Sequence, residues 1–143
     1  MSKNFLCGIV GIIGGFFATL FGGWDIGMRT LIIFMIVDYV SGLALAGIFR
    51  KSPKSKNGAL SSKIGYKGLC KKFLTLLYVM IGHHLDLMLG IDYVRNAIII
   101  CFCMNELISI VENSGQMGIP IPKVITESIE VLRSKSGEGK DNG

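Results

Sequence analysis

The chain has 143 residues, the length of a single domain, but half of them are apolar and only 17% are charged, against roughly 25% in an average soluble protein. Mean hydropathy is +0.55, and the charges are segregated, with long uncharged stretches around one dense basic stretch. Nineteen glycines without a Gly-X-Y period exclude collagen, and the low polarity excludes a disordered chain. These features predict an all-α, small polytopic membrane protein with four transmembrane helices arranged as two hairpins, followed by a short C-terminal amphipathic helix.

The first uncharged run is Asn4–Trp24. About 20 helical residues cross a hydrocarbon core of roughly 30 Å, so a helix over 5–24 reaches across. The run is too long for a secretory signal peptide, whose apolar region covers about 7–15 residues, and uncleaved insertion is expected. The second run, Thr30–Phe49, lies between Arg29 and Arg50 and is interrupted only by Asp38. A third, Phe73–Leu89, holds His83, His84 and Asp86 in its second half. A fourth, Asn96–Val111, contains Asn105 and Glu106 and predicts a helix over 94–113. The last two apolar runs measure only about 26 and 24 Å as helix and need snorkelling or local thinning to cross; a pair of surface-lying or re-entrant helices is the alternative.

Short connections carrying glycine and one aromatic residue, Trp24 or Tyr93, close each hairpin. Between the hairpins, residues 50–72 carry Arg50, Lys51, Lys54, Lys56, Lys63, Lys67, Lys71 and Lys72 and no acid. Basic residues in short loops stay on the cytoplasmic side. These eight therefore set the topology, with both termini cytoplasmic in the bacterial inner membrane. The net charge of +5 reads as topology, not nucleic-acid binding, with an unspecific attraction to anionic headgroups. The membrane domain is expected over 1–117. Gly118-Ile119-Pro120-Ile121-Pro122 then breaks the helix. An amphipathic helix follows within 118–135, presenting Val124, Ile125, Ser128, Ile129 and Leu132 on one face, and residues 136–143 form a polar, disordered tail.

No catalytic motif is present: there is no phosphate-binding glycine loop, nucleophile elbow or HExxH helix. Cys7, Cys70, Cys101 and Cys103 lack zinc spacing, and no cofactor, metal site or disulfide framework is expected. Small residues say more. Gly11 and Gly15 form a GxxxG, Gly14, Ala18 and Gly22 continue a ridge on the first helix, and Gly42 and Ala46 form one on the second. In lipid, small residues allow the close backbone approach that holds helices together. The ridges serve either packing within one chain or self-association between copies.

A charge at the bilayer centre costs on the order of 2.5–3.5 kcal/mol on insertion scales. Asp38 with Ser41, and Asn105, Glu106 and Ser109 along the fourth helix, are accordingly expected to be buried or to face a pore. Asp86 and Glu112 are expected near the interfaces, and His83 and His84 as helix-end histidines.

The segment Asp38-Tyr39-Val40-Ser41-Gly42-Leu43 with Ala46 resembles the second-helix signature of the toxin-secretion/phage-lysis holin family. Ser62-Lys63-Ile64-Gly65-Tyr66-Lys67-Gly68-Leu69 with Lys71-Lys72 resembles the family's basic loop, Tyr93 to Asn96 with Asn105-Glu106, Ser109-Ile110 and Glu112-Asn113 its fourth-segment pattern, and Gly118–Pro122 its closing Gly and Pro turn. The resemblance covers roughly residues 28–135. It implies a holin that forms homo-oligomers among membrane lipid and opens pores or lesions, through which an endolysin or a signal-less toxin passes without specific binding. An antiholin and a small ion channel or transporter are the alternatives.

Overall fold

A computed structural model describes residues 2–136, and these form five helices: α1 (Lys3–Leu20), α2 (Ile26–Gly47), α3 (Ser62–Leu89), α4 (Val94–Gln116) and α5 (Lys123–Ser136). The first four are long and apolar enough to cross a membrane. The tail expected from residue 136 lies, apart from Ser136 itself, outside the described residues.

Local chemistry sets the boundaries. Ser2 Oγ accepts from Phe5 N at 3.3 Å to cap α1, and Asp25 Oδ1 accepts from Met28 N at 2.9 Å to cap α2. Between them Gly22 and Gly23 both take left-handed backbone, φ 82° and 99°, which a residue with a Cβ resists. Gly90, at φ 67°, ends α3 in the same way.

The largest departure from the sequence reading is the start of α3. Residues 62–72, expected as the second half of a basic loop, are helical. A helix need not stop where hydrocarbon stops, because lysine is a good helix former whose long stem lets the ammonium lie beyond the apolar slab. The helix also has a packing partner there: Tyr39 of α2 lies against the Cα side of Gly65 and Gly68. At 28 and 23 residues, α3 and α4 run about 42 and 35 Å, so the short apolar runs belong to helices of ample length.

α4 is the central element. α2, α3 and α5 all pack on it, while α2 and α3 scarcely touch each other. The core of Met28, Leu31, Met35, Val79, Ile99 and Cys103 lies where α2, α3 and α4 meet. α5 closes on α4 through Ile129, its one buried residue, so the amphipathic helix is docked on the bundle. α1 stands apart. It buries no residue and only brushes α3.

Candidate functional site

A carboxylate within an apolar helix requires a partner or water, and this bundle supplies a cation. Lys72 Nζ donates to Asp38 Oδ2 at 2.7 Å and to Glu106 Oε2 at 2.5 Å, bridging α2 and α4 from α3. The three side chains are only 12–16% exposed. Each lies roughly 13–15 Å along its helix from the end nearer residues 48–61, so the three meet at one depth. Asn113 Nδ2 donates to Asp38 Oδ1 at 3.3 Å and to Ser41 Oγ at 2.9 Å, and Ser41 Oγ donates to the Asp38 carbonyl at 3.0 Å. One ammonium and two carboxylates thus tie α2 and α3, which otherwise pack little on each other, to one another and to α4.

A second polar cluster ties the opposite end. Arg95 is 6% exposed. Its Nη1 and Nη2 donate to Asp25 Oδ2 and Oδ1 at 2.6 and 3.2 Å, Nη2 also donates to the Gly23 carbonyl, and Nε donates to the Phe21 carbonyl. This fork fastens the α1–α2 turn to the head of α4, and the guanidinium beside Asp25 holds its carboxyl below the usual carboxylate range. Asp86, expected near the interface, is buried and accepts from Val94 N and Arg95 N at 2.9 and 3.0 Å. It caps α4 from α3, because the residue preceding α4, Tyr93, makes no side-chain cap.

Beside the Lys72 triad, a crevice of about 500 Å³ opens between α2 and the first half of α3, with the 52–61 loop at its mouth. Asp38, Glu106, Ser109, Asn113 and Asn105 all contribute to its wall. Asn105, expected to be buried or to face a pore, is exposed at the middle of α4. Glu112 is exposed near the end of the same helix.

The small residues separate into two groups. A Cβ added to Gly11, Gly14 or Gly15 would meet nothing within 4 Å, so this part of the α1 ridge does not pack within the chain, whereas Ala18 is half-buried and Gly22 lies against Arg95 and His83. Gly42 faces Asn113, and Ala46 is buried between helices. The closest crossing is at Gly82, where a Cβ would come within 2.6 Å of Ile98 and 3.1 Å of the Arg95 Cα.

Of the eight basic residues, Arg50, Lys51, Lys54 and Lys56 lie in the loop, and Lys63, Lys67 and Lys71 are exposed on α3. Lys72 alone turns inward, a role that reading the loop as a block of charge missed. The available signal was its place as the last cation before the apolar run, level with Asp38 and Glu106. The four cysteines are free thiols.

Comparison with known proteins agrees with this membrane architecture. Residues 15–134 match the model of the bacteriophage holin family. The chain belongs to the bacteriophage holin family. This holin-family chain is 41% identical over 135 residues to an uncharacterized protein of Listeria monocytogenes, covering 94% of the chain and 90% of the relative. An uncharacterized 14.9 kDa protein in the nagH 3' region of Clostridium perfringens is 38% identical over 130 residues, covering 90% and 92%. A probable holin of Bacillus phage phi105 is 28% identical over 109 residues, covering 76% and 75%. No solved structure matches. The holin-family chain is a multi-pass membrane protein, in a family that is non-enzymatic in general and in which membrane oligomerisation is general.

Proposed function

We propose that this protein is a lesion-forming holin. Copies accumulate in the bacterial inner membrane with both termini and the basic segment cytoplasmic, associate, and open pores that let an endolysin or a signal-less toxin escape. The observation that carries this reading is the holin-family match over residues 15–134. The closed chain is suited to waiting in lipid: Lys72 lies between Asp38 and Glu106 inside the bundle, while the Gly11–Gly15 ridge is open to another copy. At a sufficient density, association through α1 and separation of α2 from α3 bring the Asp38, Ser41, Glu106 and Ser109 faces onto water. Co-expression with an endolysin lacking an export signal tests the reading. Abrupt lysis after a delay is the expected result. Postponed lysis of a culture carrying a second holin assigns the antiholin role instead, and graded, ion-selective current without endolysin release assigns a channel.

A further inference from the structure

We infer that the crevice between α2 and the first half of α3 is a specific binding site for one anionic phospholipid, its phosphate at the lysine rim and its acyl chain along the inner wall. The inference goes beyond lesion formation, because it concerns the closed chain and needs no pore.

Three independent features of the crevice point to this ligand. The first is unbalanced charge. Lys54, Lys67, Lys71 and Lys72 contribute to the wall, against Asp38 and Glu106. Both carboxylates are engaged by Lys72, and among the described residues Lys54, Lys67 and Lys71 make no ion pair with an acid. The rim therefore presents three ammonium groups without an acid partner, beside a floor of one ammonium and two carboxylates, so the crevice as a whole carries excess positive charge. Basic pockets between membrane helices on the cytoplasmic side suit phospholipid headgroups.

The second feature is unsatisfied hydrogen bonding at the same mouth. Ser55 Oγ is buried with no hydrogen-bond partner, and Ser55 lines the crevice. Ser61, also lining it, precedes α3 without capping it. The first amides of a 28-residue helix are thus left for an acceptor, with the positive end of the helix dipole behind them. A phosphate oxygen answers both needs.

The third is shape. The crevice holds about 500 Å³, and Tyr39, Leu43 and Ile64 supply an apolar wall. An inorganic anion uses the rim and leaves this wall bare, whereas a phospholipid covers both.

Lipid retention in detergent distinguishes the site from diffuse attraction to a charged surface. The full chain is reconstituted in vesicles of phosphatidylglycerol and phosphatidylcholine, extracted, and examined by native mass spectrometry. Wild type is expected to keep one phosphatidylglycerol per chain. Replacing Lys54, Lys67 and Lys71 with Gln removes exposed side chains and leaves the core intact; retention is expected to fall at least about tenfold. Replacing Lys51, Lys56 and Lys63 with Gln removes the same charge away from the crevice and is expected to leave retention within about twofold. Leu43→Trp fills the apolar wall without altering charge and is expected to expel the lipid as well. Equal loss from both lysine triples, equal retention of phosphatidylcholine, or complete displacement by millimolar inorganic phosphate would each overturn the inference.

Discussion

Lys72 Nζ lies 2.7 Å from Asp38 Oδ2 across 34 residues of chain, and the same ammonium reaches Glu106 Oε2 at 2.5 Å. α2 and α3 make little other contact, so this lysine is the main polar tie between them. Breaking a buried ion pair by removing one partner is costly, about 3–5 kcal/mol, because the remaining charge is left uncompensated. Lys72→Met should therefore lower the melting temperature in detergent and bring lysis forward. Adding Asp38→Asn and Glu106→Gln to Lys72→Met should recover most of the lost stability, since no bare carboxylate then remains. If the triple variant melts no higher than Lys72→Met, the triad is not what holds these helices.

The two classes of glycine should behave oppositely. Gly82→Leu forces α3 and α4 apart against Ile98 and Arg95 and is expected to cost about 1–3 kcal/mol, as overpacking does, read as loss of the folded form in detergent. Gly11→Leu with Gly15→Leu meets open space, so monomer stability should hold within about 0.5 kcal/mol. Cross-linking between copies should fall and lysis should be delayed.

Asp86 accepts from the first two amides of α4. Asp86→Ala removes both acceptors at once and should cost about 0.5–2 kcal/mol, the usual range for a lost cap. Hydrogen exchange at Val94 and Arg95 should accelerate, while the amides of α2 keep their protection.

At the α1–α2 turn, Arg95 lowers the Asp25 carboxyl below its ordinary value of 3.8. A carboxylate with a lowered folded value stabilises the fold at pH above the ordinary value, and that contribution disappears as pH falls through the lowered one. Exchange at the Met28 amide, which donates to Asp25, should be flat from pH 7 to about 4 after correction for intrinsic rates, and rise below that. Asp25→Asn should abolish the pH dependence, leaving the same protection on both sides of pH 4.

The four spans were legible in the sequence because long apolar runs carrying at most one acid each leave few other solutions in lipid. The first ten residues of α3 were not, since Ser62–Lys71 lies outside the apolar run and its helical packing depends on Tyr39 from another helix. Likewise the need of Asp38 and Glu106 for shelter was legible, while the identity of the shelter was not: Lys72 looks like any other lysine of a basic segment until three helices are set side by side. The spacing of Gly11 and Gly15 announced close approach but could not name the partner. Gly82, which makes the closest crossing, has no such spacing to mark it.

The most direct test of lesion formation by association is release of a folded fluorescent protein from proteoliposomes as the ratio of chain to lipid is raised. The expected result is no release at low density and abrupt release above a threshold, with that threshold moved upward by Gly11→Leu and Gly15→Leu. Intact vesicles at every density, or release that rises in simple proportion to the amount of chain and ignores those substitutions, would contradict it.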